Sequence, residues 1–437
     1  MAWLWGRARV WLFCVVFCLT VARLAPAAEV FVAPDGDDSR EGTREAPFAS
    51  IQRAQQAVGP GDTVWIRGGR YRMGLGDVAL ERRIWAYVTY LDKSGEPGRP
   101  IRYWAVDGET PVFDFAAIKH PRRRVHAFEV AGSWLHFKGI EVVGVQVAMQ
   151  GHTQSICFSN NGSHNIYEQL SMHDGHAIGI YSVRGAHNLF LNCDAYNNHD
   201  TVSEGGRGGN TDGFGCHPPR GATGNVFRGC RAWFNSDDGF DCISAEEAVT
   251  FEQCWAYGNG YSPEFRLLAD GNGFKVGGYG STPAHRLPNP VPRHTVVGCV
   301  AARNKANGFY GNHHIGGSDW LHNSASRNAA NYNFLSRLPD NVTDVPGYGH
   351  VIRNNLSHGS RRLVTQLGAT GNELVSNSFD ADSGVEITDA DFLSLEAEEL
   401  LRPRSANGEL PEVEFLQLAP GSDLAGLGAF EQPVAAP

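Results

Sequence analysis

Five segments of this chain carry an asparagine at one fixed place. Aligned on Cys193, Cys230, Cys254, Cys299 and Asn323, the segments NLFLNCDAYNN, NVFRGCRAWFN, VTFEQCWAYGN, HTVVGCVAARN and SDWLHNSASRN each reach an asparagine five residues later: Asn198, Asn235, Asn259, Asn304 and Asn328. A carboxamide both donates and accepts, so an asparagine at an equivalent place in every repeat suits a stacked ladder inside a turn, each amide bonding its neighbours and the turn backbone. An aromatic strand follows each of the last four: Phe240, Phe274, Phe309 and Phe334. The anchors are spaced 24 to 37 residues apart, with one stretch of 45 between Cys254 and Cys299. Two strand sets per coil at that spacing predict an all-β solenoid, a parallel β-helix, rather than a leucine-rich or helical array. The crossover preference of parallel strands makes it right-handed.

Within the array lies a second repeat, Gly209 to Gly278, read as GGNTDGFGC, NSDDGFDC and DGNGFKVGG and aligned on Gly213-Phe214, Gly239-Phe240 and Gly273-Phe274. Asp212 and Asp238 take the place before the glycine, Asp237 lies one residue earlier, and Asp241 and Lys275 share the place two after it. Equivalent places on adjacent coils stand roughly 4.8 Å apart, so four carboxylates and an amine gather on one face. Strand alternation puts Phe214, Phe240 and Phe274 inside with Cys216, Cys242 and Val276, and sends Gly215, Asp241 and Lys275 outward. Asp237 and Asp238 fall in the turn, where alternation lapses.

Such a carboxylate set is a hard oxygen site of the kind that holds Ca²⁺. An isolated Asp-Asp-Gly is more often a plain turn; it is Asp212, Asp241 and Lys275 beside it that favour a metal. Likewise, Lys275 is either a lysine paired with Asp241 or a base whose pKa a bound cation and burial depress. Metal and base together suit removal of the proton α to a uronate carboxylate, followed by loss of the 4-linked sugar.

Residues 1–27 have the pattern of a secretory leader: Arg7 and Arg9, an apolar run from Val10 to Val21, and Ala25-Pro26-Ala27 before the cut. Its run is short for a membrane span, and no other segment approaches one. Removing Arg7, Arg9 and Arg23 from 37 basic residues leaves 34 against 47 acidic ones, a balance of −13 that argues against a nucleic-acid partner. Seven cysteines remain of nine. Cys193, Cys230, Cys254 and Cys299 read as a buried stack of thiols, while Cys216 and Cys242 share an inward place and could pair. The mature chain divides into an N-terminal cap and first coils (28–115), the coils that carry the site (116–380) and a segment closing the far end (381–437). An amphipathic helix at Pro47 to Val58 suits the cap, and capped ends favour a monomer. A short helix is expected at Phe392 to Leu401.

NTDGFG, NSDDGFD and DGNGFKVGG, in this order and set in asparagine-ladder coils, resemble the family 9 polysaccharide lyases, whose members include pectate lyases. The FVAPDGDDSREGT start, the GDTVWIRGGRY segment and the LAPGSDLAGLG end resemble that family too. The resemblance implies a right-handed parallel β-helix, Ca²⁺ held by Asp212, Asp237, Asp238 and Asp241, and Lys275 as Brønsted base. It also implies a secreted enzyme acting on an acidic polysaccharide, pectate or polygalacturonate or a rhamnogalacturonan. Cys216, Cys242 and the HPPRGATG loop have no counterpart in the pectate lyase pattern. Two other readings stay open: a uronate epimerase or alginate-type lyase using Tyr310 with a histidine, and a glycan-binding β-helix in which Lys275 only holds a carboxylate. Zinc at His173 and His176 lacks the helical framing such a site needs.

Overall fold

The computed structural model describes residues 27–151, 153–380 and 386–431; the expected leader lies outside them but for its final residue. Strands stack into three sheets of 12, 10 and 11, all parallel but for Leu80–Arg82, which runs antiparallel to Trp85–Leu91 at one edge. Each coil thus contributes three strands, where the repeat suggested two. The third strand was hidden because the three-residue strands flanking each cysteine, such as Leu189–Leu191 and Asp194–Tyr196, run together in sequence but join different sheets. The same break divides the expected strand Trp134 to Val143 into Leu135–Lys138 and Glu141–Val143.

The asparagine ladder forms as the repeat predicts. Nδ2 of Asn198 donates to Oδ1 of Asn235 (3.1 Å), Asn235 to Asn259 (3.1 Å), Asn259 to Asn304 (3.0 Å) and Asn304 to Asn328 (2.9 Å). Each Nδ2 also bonds a carbonyl of the preceding coil, from Met172 to Ala301. The residue before each ladder asparagine turns the chain with a left-handed φ between 52° and 61°. A second ladder, Asn323–Asn355–Asn377, continues the cysteine row. Asn259→Ala removes the Oδ1 that accepts from both the N–H and Nδ2 of Asn235, and the Nδ2 that donates to the Ala232 carbonyl inside the core. With several buried groups left unpaired, it should cost about 3 kcal/mol or more, read as a lowered urea midpoint. A change under about 0.5 kcal/mol would show that the ladder does not hold the coils.

Inside the barrel the aromatic row pairs in register, Phe214 with Phe240, Phe274, Phe309 and then Tyr332. Tyr332, not Phe334, fills the last rung, although both are buried. Phe240 and Phe274 stack with centroids 4.7 Å apart and planes 3° from parallel. Cys193, Cys230, Cys254 and Cys299 form the expected buried thiol stack, and Cys216 and Cys242 are likewise free thiols.

The helix spans Ile51–Ala57, later than the pattern suggested because Phe48 instead bridges to Val32. Ser50 caps it by accepting from the Arg53 N–H, and Ile51, Ala54 and Val58 enter the core. The helix packs on the strands Glu29–Val32, Thr63–Ile66 and Trp85–Leu91. The C-terminal segment differs from expectation. Instead of lying across the end of the solenoid, it runs along the flank of the 10-stranded sheet, where Phe392, Leu400, Phe415 and Leu424 bury Trp255, Tyr257, Val300 and Leu356. Asp194 anchors it, paired with both Arg231 and Arg404 at 2.7 Å. Outward apolar residues on that sheet need a cover, and this need draws the segment back. Its expected helix at Phe392 to Leu401 is a short 3₁₀ turn, Ala397–Leu401. No described helix is long and apolar enough to cross a membrane.

Candidate active site

The 11-stranded sheet brings the second repeat together. Gly215, Asp241, Lys275 and Tyr310 occupy one outward row in consecutive register. The glycine before each phenylalanine is sterically required. A Cβ at Gly239 would stand 2.7 Å from the Gly273 carbonyl oxygen and 2.9 Å from the Asn259 amide, and Gly213 and Gly273 meet equivalent contacts. This close approach draws each turn carboxylate in over the next coil.

Each aspartate is oriented by a backbone N–H on one oxygen. Asp212 Oδ1 accepts from the Asp238 N–H (3.1 Å), and Asp241 Oδ1 from Ile243 (2.7 Å). Asp238 Oδ1 accepts from both the backbone and side chain of Asn272 (2.7 Å each). The remaining oxygens of Asp238 and Asp241 each lie 3.1 Å from Lys275 Nζ. Only the contact to Asp241 has hydrogen-bond geometry, so Asp238 Oδ2 is buried without a hydrogen-bond partner. Ligand atoms of Asp212, Asp238 and Asp241 fall within 4.8 Å of one another, the arrangement of a metal-holding group. Asp237 is buried beside them but stands outside that trio, its Oδ1 accepting from the Asp270 N–H (3.2 Å). Three converging carboxylates and an orphaned carboxylate oxygen fit a hard, oxygen-seeking divalent cation.

Electrostatics point the same way. Burial, reinforced by neighbouring carboxylates, pushes the carboxyls of Asp212 and Asp237 well above the usual carboxylate range, and that of Asp238 upward. Burial alone would depress the Lys275 ammonium, but Asp238, Asp241, Asp212 and Asp237 together outweigh it and hold it well above the ordinary lysine value. The depressed lysine was expected beside a bound cation, a charge that the protein's own groups do not supply. On the protein's own charges Lys275 is the counter-ion of the cluster; a divalent cation on the same carboxylates would take over that role.

Two further groups border the cluster, one of them, His217, without a signal in the repeat. His217, from the unmatched HPPRGATG loop, donates Nδ1–H to the Ile243 carbonyl (2.6 Å) and leaves a buried Nε2 without a partner. Its ring lies 4.8 Å from that of Tyr181. Tyr310 stands beside Lys275 as aligned, and burial pushes its hydroxyl up to about 12, which disfavours it as a base near neutral pH. His173 binds Glu141 and Asp174, and among the described residues no histidine joins a metal-capable cluster.

Comparison with known proteins adds to this geometry. A family model described as Pel9A-like, right handed beta helix region, matches residues 30–355. A second, rhamnogalacturonan lyase-like, C-terminal, matches residues 369–434. Pectate lyase L of Dickeya dadantii is 32% identical over 412 residues, covering 92% of this chain and 87% of the relative. Pectate lyase PEL9 of Emericella nidulans is 27% identical over 440 residues, covering 95% and 97%. The solved structure of a rhamnogalacturonan lyase superposes with a TM-score of 0.87 at 41% identity, covering 92% of this chain and 100% of that one. Pectate lyase Pel9A superposes with a TM-score of 0.71 at 29% identity, covering 93% and 92%.

Proposed function

The chain is a polysaccharide lyase of the Pel9A-like right-handed β-helix family, and from that premise we propose that it is a secreted, monomeric, Ca²⁺-dependent enzyme that cleaves a uronate-containing glycan by β-elimination with Lys275 as base. The substrate class is pectate, polygalacturonate or a rhamnogalacturonan. The observation that carries this reading is the position of Lys275 Nζ, 3.1 Å from both Asp238 and Asp241 on the outer face of a coil.

Asp212, Asp238 and Asp241 would hold the cation, with Asp237 adjoining them. When bound, Ca²⁺ neutralises the uronate carboxylate and stabilises the charge that develops on it. Lys275, neutral once its carboxylate partners are engaged, takes the proton from C5. The C5–H electron pair becomes the C4–C5 double bond, the C4–O4 bond breaks, and the departing oxygen takes a proton from water. The outward row beside Lys275 gives the glycan a face on which to lie, and the rigid coils fix Nζ against it.

The direct test is the ultraviolet absorbance of the unsaturated product, followed on polygalacturonate and on a rhamnogalacturonan, with and without Ca²⁺, at mildly alkaline pH. A Ca²⁺-dependent rise on either polymer supports the reading. Silence on both, from folded and Ca²⁺-loaded protein, overturns it. Activity should also climb from neutral towards alkaline pH because the base must be neutral, and an acidic optimum would remove Lys275 from that role.

The raised carboxyls predict a linked effect on stability. Groups whose folded pKa exceeds the unfolded value contribute stability at low pH and lose it as pH rises through the raised value. Asp212, Asp237 and Asp238 all shift in that direction. Lys275, raised as well, contributes throughout the window below its unfolded pKa and so does not alter the trend. The gain in melting temperature on adding Ca²⁺ should therefore be larger at about pH 8 than at about pH 5. Equal gains at both pH values would place the ion elsewhere.

A further inference from the structure

A cavity of about 640 Å³ opens on the outer face of the same 11-stranded sheet, towards its N-terminal end. Its aromatic wall is Trp85, Tyr87 and Tyr90; its polar floor is His126 and Glu129; Tyr181 closes the side nearer the aspartates. Tyr90, Glu129, Ser159 and Tyr181 occupy successive places of one outward row. That row continues without a break through Gly215 and Asp241 to Lys275. At roughly 4.8 Å per coil, Glu129 stands about 24 Å from Lys275 along it. The Tyr181 ring lies over Gly215, where a Cβ would meet it at 2.6 Å, so one side chain borders both cavity and cluster.

The polar floor is built and has one position left open. His126 Nδ1 lies 2.8 Å from Glu129 Oε2, and Asn161 Nδ2 donates to Glu129 Oε1 at 2.7 Å, which fixes the carboxylate. His126 is only 5% exposed, and its Nε2 is buried without a partner. A sugar hydroxyl that reached that nitrogen would satisfy it in either protonation state, being both donor and acceptor. Aromatic walls with a few fixed polar groups characterise small-ligand sites, and aromatic faces suit the C–H face of a pyranose. The buried Glu129 carboxylate repels a second carboxylate placed on it. Arg82 and Arg184 are exposed at the rim, the Arg82 guanidinium lying over the Tyr90 ring.

We propose that this cavity is a remote subsite for a neutral sugar of the same glycan whose uronate meets Lys275. A polymer mixing neutral sugars with uronates is then preferred over an all-uronate one. This rests on Lys275 marking the point of elimination and deepens that reading by choosing the substrate class.

The test is calorimetric binding in the Lys275→Ala background, with a tetrasaccharide and a decasaccharide of alternating rhamnose and galacturonate, and a decagalacturonate. Only a decasaccharide is long enough to span from the cluster to the cavity. Tyr90→Ala should weaken the mixed decasaccharide about tenfold, with no comparable loss for the tetrasaccharide. Glu129→Gln, which removes the buried charge and keeps the shape, should tighten the decagalacturonate several-fold. Equal weakening of long and short mixed chains, or of both decasaccharides, by Tyr90→Ala would overturn the subsite, as would a Glu129→Gln variant that leaves the decagalacturonate unchanged. Binding is read apart from turnover, so the two readings fail separately. Unchanged binding with elimination intact in the wild-type chain sinks the subsite alone, whereas absent elimination in the wild-type chain sinks the lyase mechanism.

Discussion

Lys275→Ala is expected to reduce formation of the unsaturated product by about a thousandfold or more, the contribution of a positioned general base, while the response to Ca²⁺ survives. Each carboxylate also has one oxygen held by a backbone N–H of the coil, so their convergence should outlast the loss of the Nζ contacts to Asp238 and Asp241. Loss of the ammonium leaves them more negative and favours the cation further. Ca²⁺ should therefore raise the melting temperature of Lys275→Ala at least as much as that of the wild-type chain. Lys275→Arg should be equally inactive, since a guanidinium keeps its charge and cannot accept the proton. Product formation in Lys275→Ala within tenfold of wild type would remove the lysine from the chemistry. A lost Ca²⁺ response would mean instead that Nζ organises the cluster.

Asp238→Asn should separate metal binding from folding. Asp238 is fully buried, and its Oδ1 accepts twice from Asn272. An asparagine oxygen can accept the same bonds, so the turn should persist. What disappears is the charge and the Oδ2 that has no hydrogen-bond partner. Affinity for Ca²⁺ should fall by about a hundredfold or more, and elimination should fall with it at limiting Ca²⁺. Without added cation, the variant should lose less stability than the wild-type chain between about pH 5 and pH 8, because one buried carboxylate no longer has to ionise among its neighbours. Calorimetric titration and a thermal scan read the two effects separately. Wild-type Ca²⁺ affinity in Asp238→Asn would place the ion away from this cluster.

Much of this is legible in the sequence itself. Asn198, Asn235, Asn259, Asn304 and Asn328 recur at one offset because a ladder amide must reach both neighbours, and that demand is local enough to write itself into the repeat. The Gly-Phe pairs carry the register as well, since only glycine admits the next coil's carbonyl, and the register alone brings Asp241 beside Lys275.

Other features depend on how separate coils meet, and no single segment records them. Three strands per coil looked like two because two of them abut at a tight turn. Tyr332 displaced Phe334 from the last rung of the aromatic row because both are apolar aromatics, and only the pairing distinguishes them. The C-terminal segment turned back along the flank because the outward Trp255, Tyr257 and Leu356 there needed cover, a requirement no one stretch displays. Asp237 shares the motif but stands outside the closest carboxylate trio, which alternation cannot resolve inside a turn. The cavity at Tyr90, His126 and Glu129 gathers residues from successive coils. Sequence alone therefore determined the fold class and the rungs that carry the carboxylates and the amine, because periodic backbone demands repeat in the chain. Tertiary structure decided orientation, charge balance and the sugar-sized cavity, because those arise from contacts between coils whose partners are dozens of residues away.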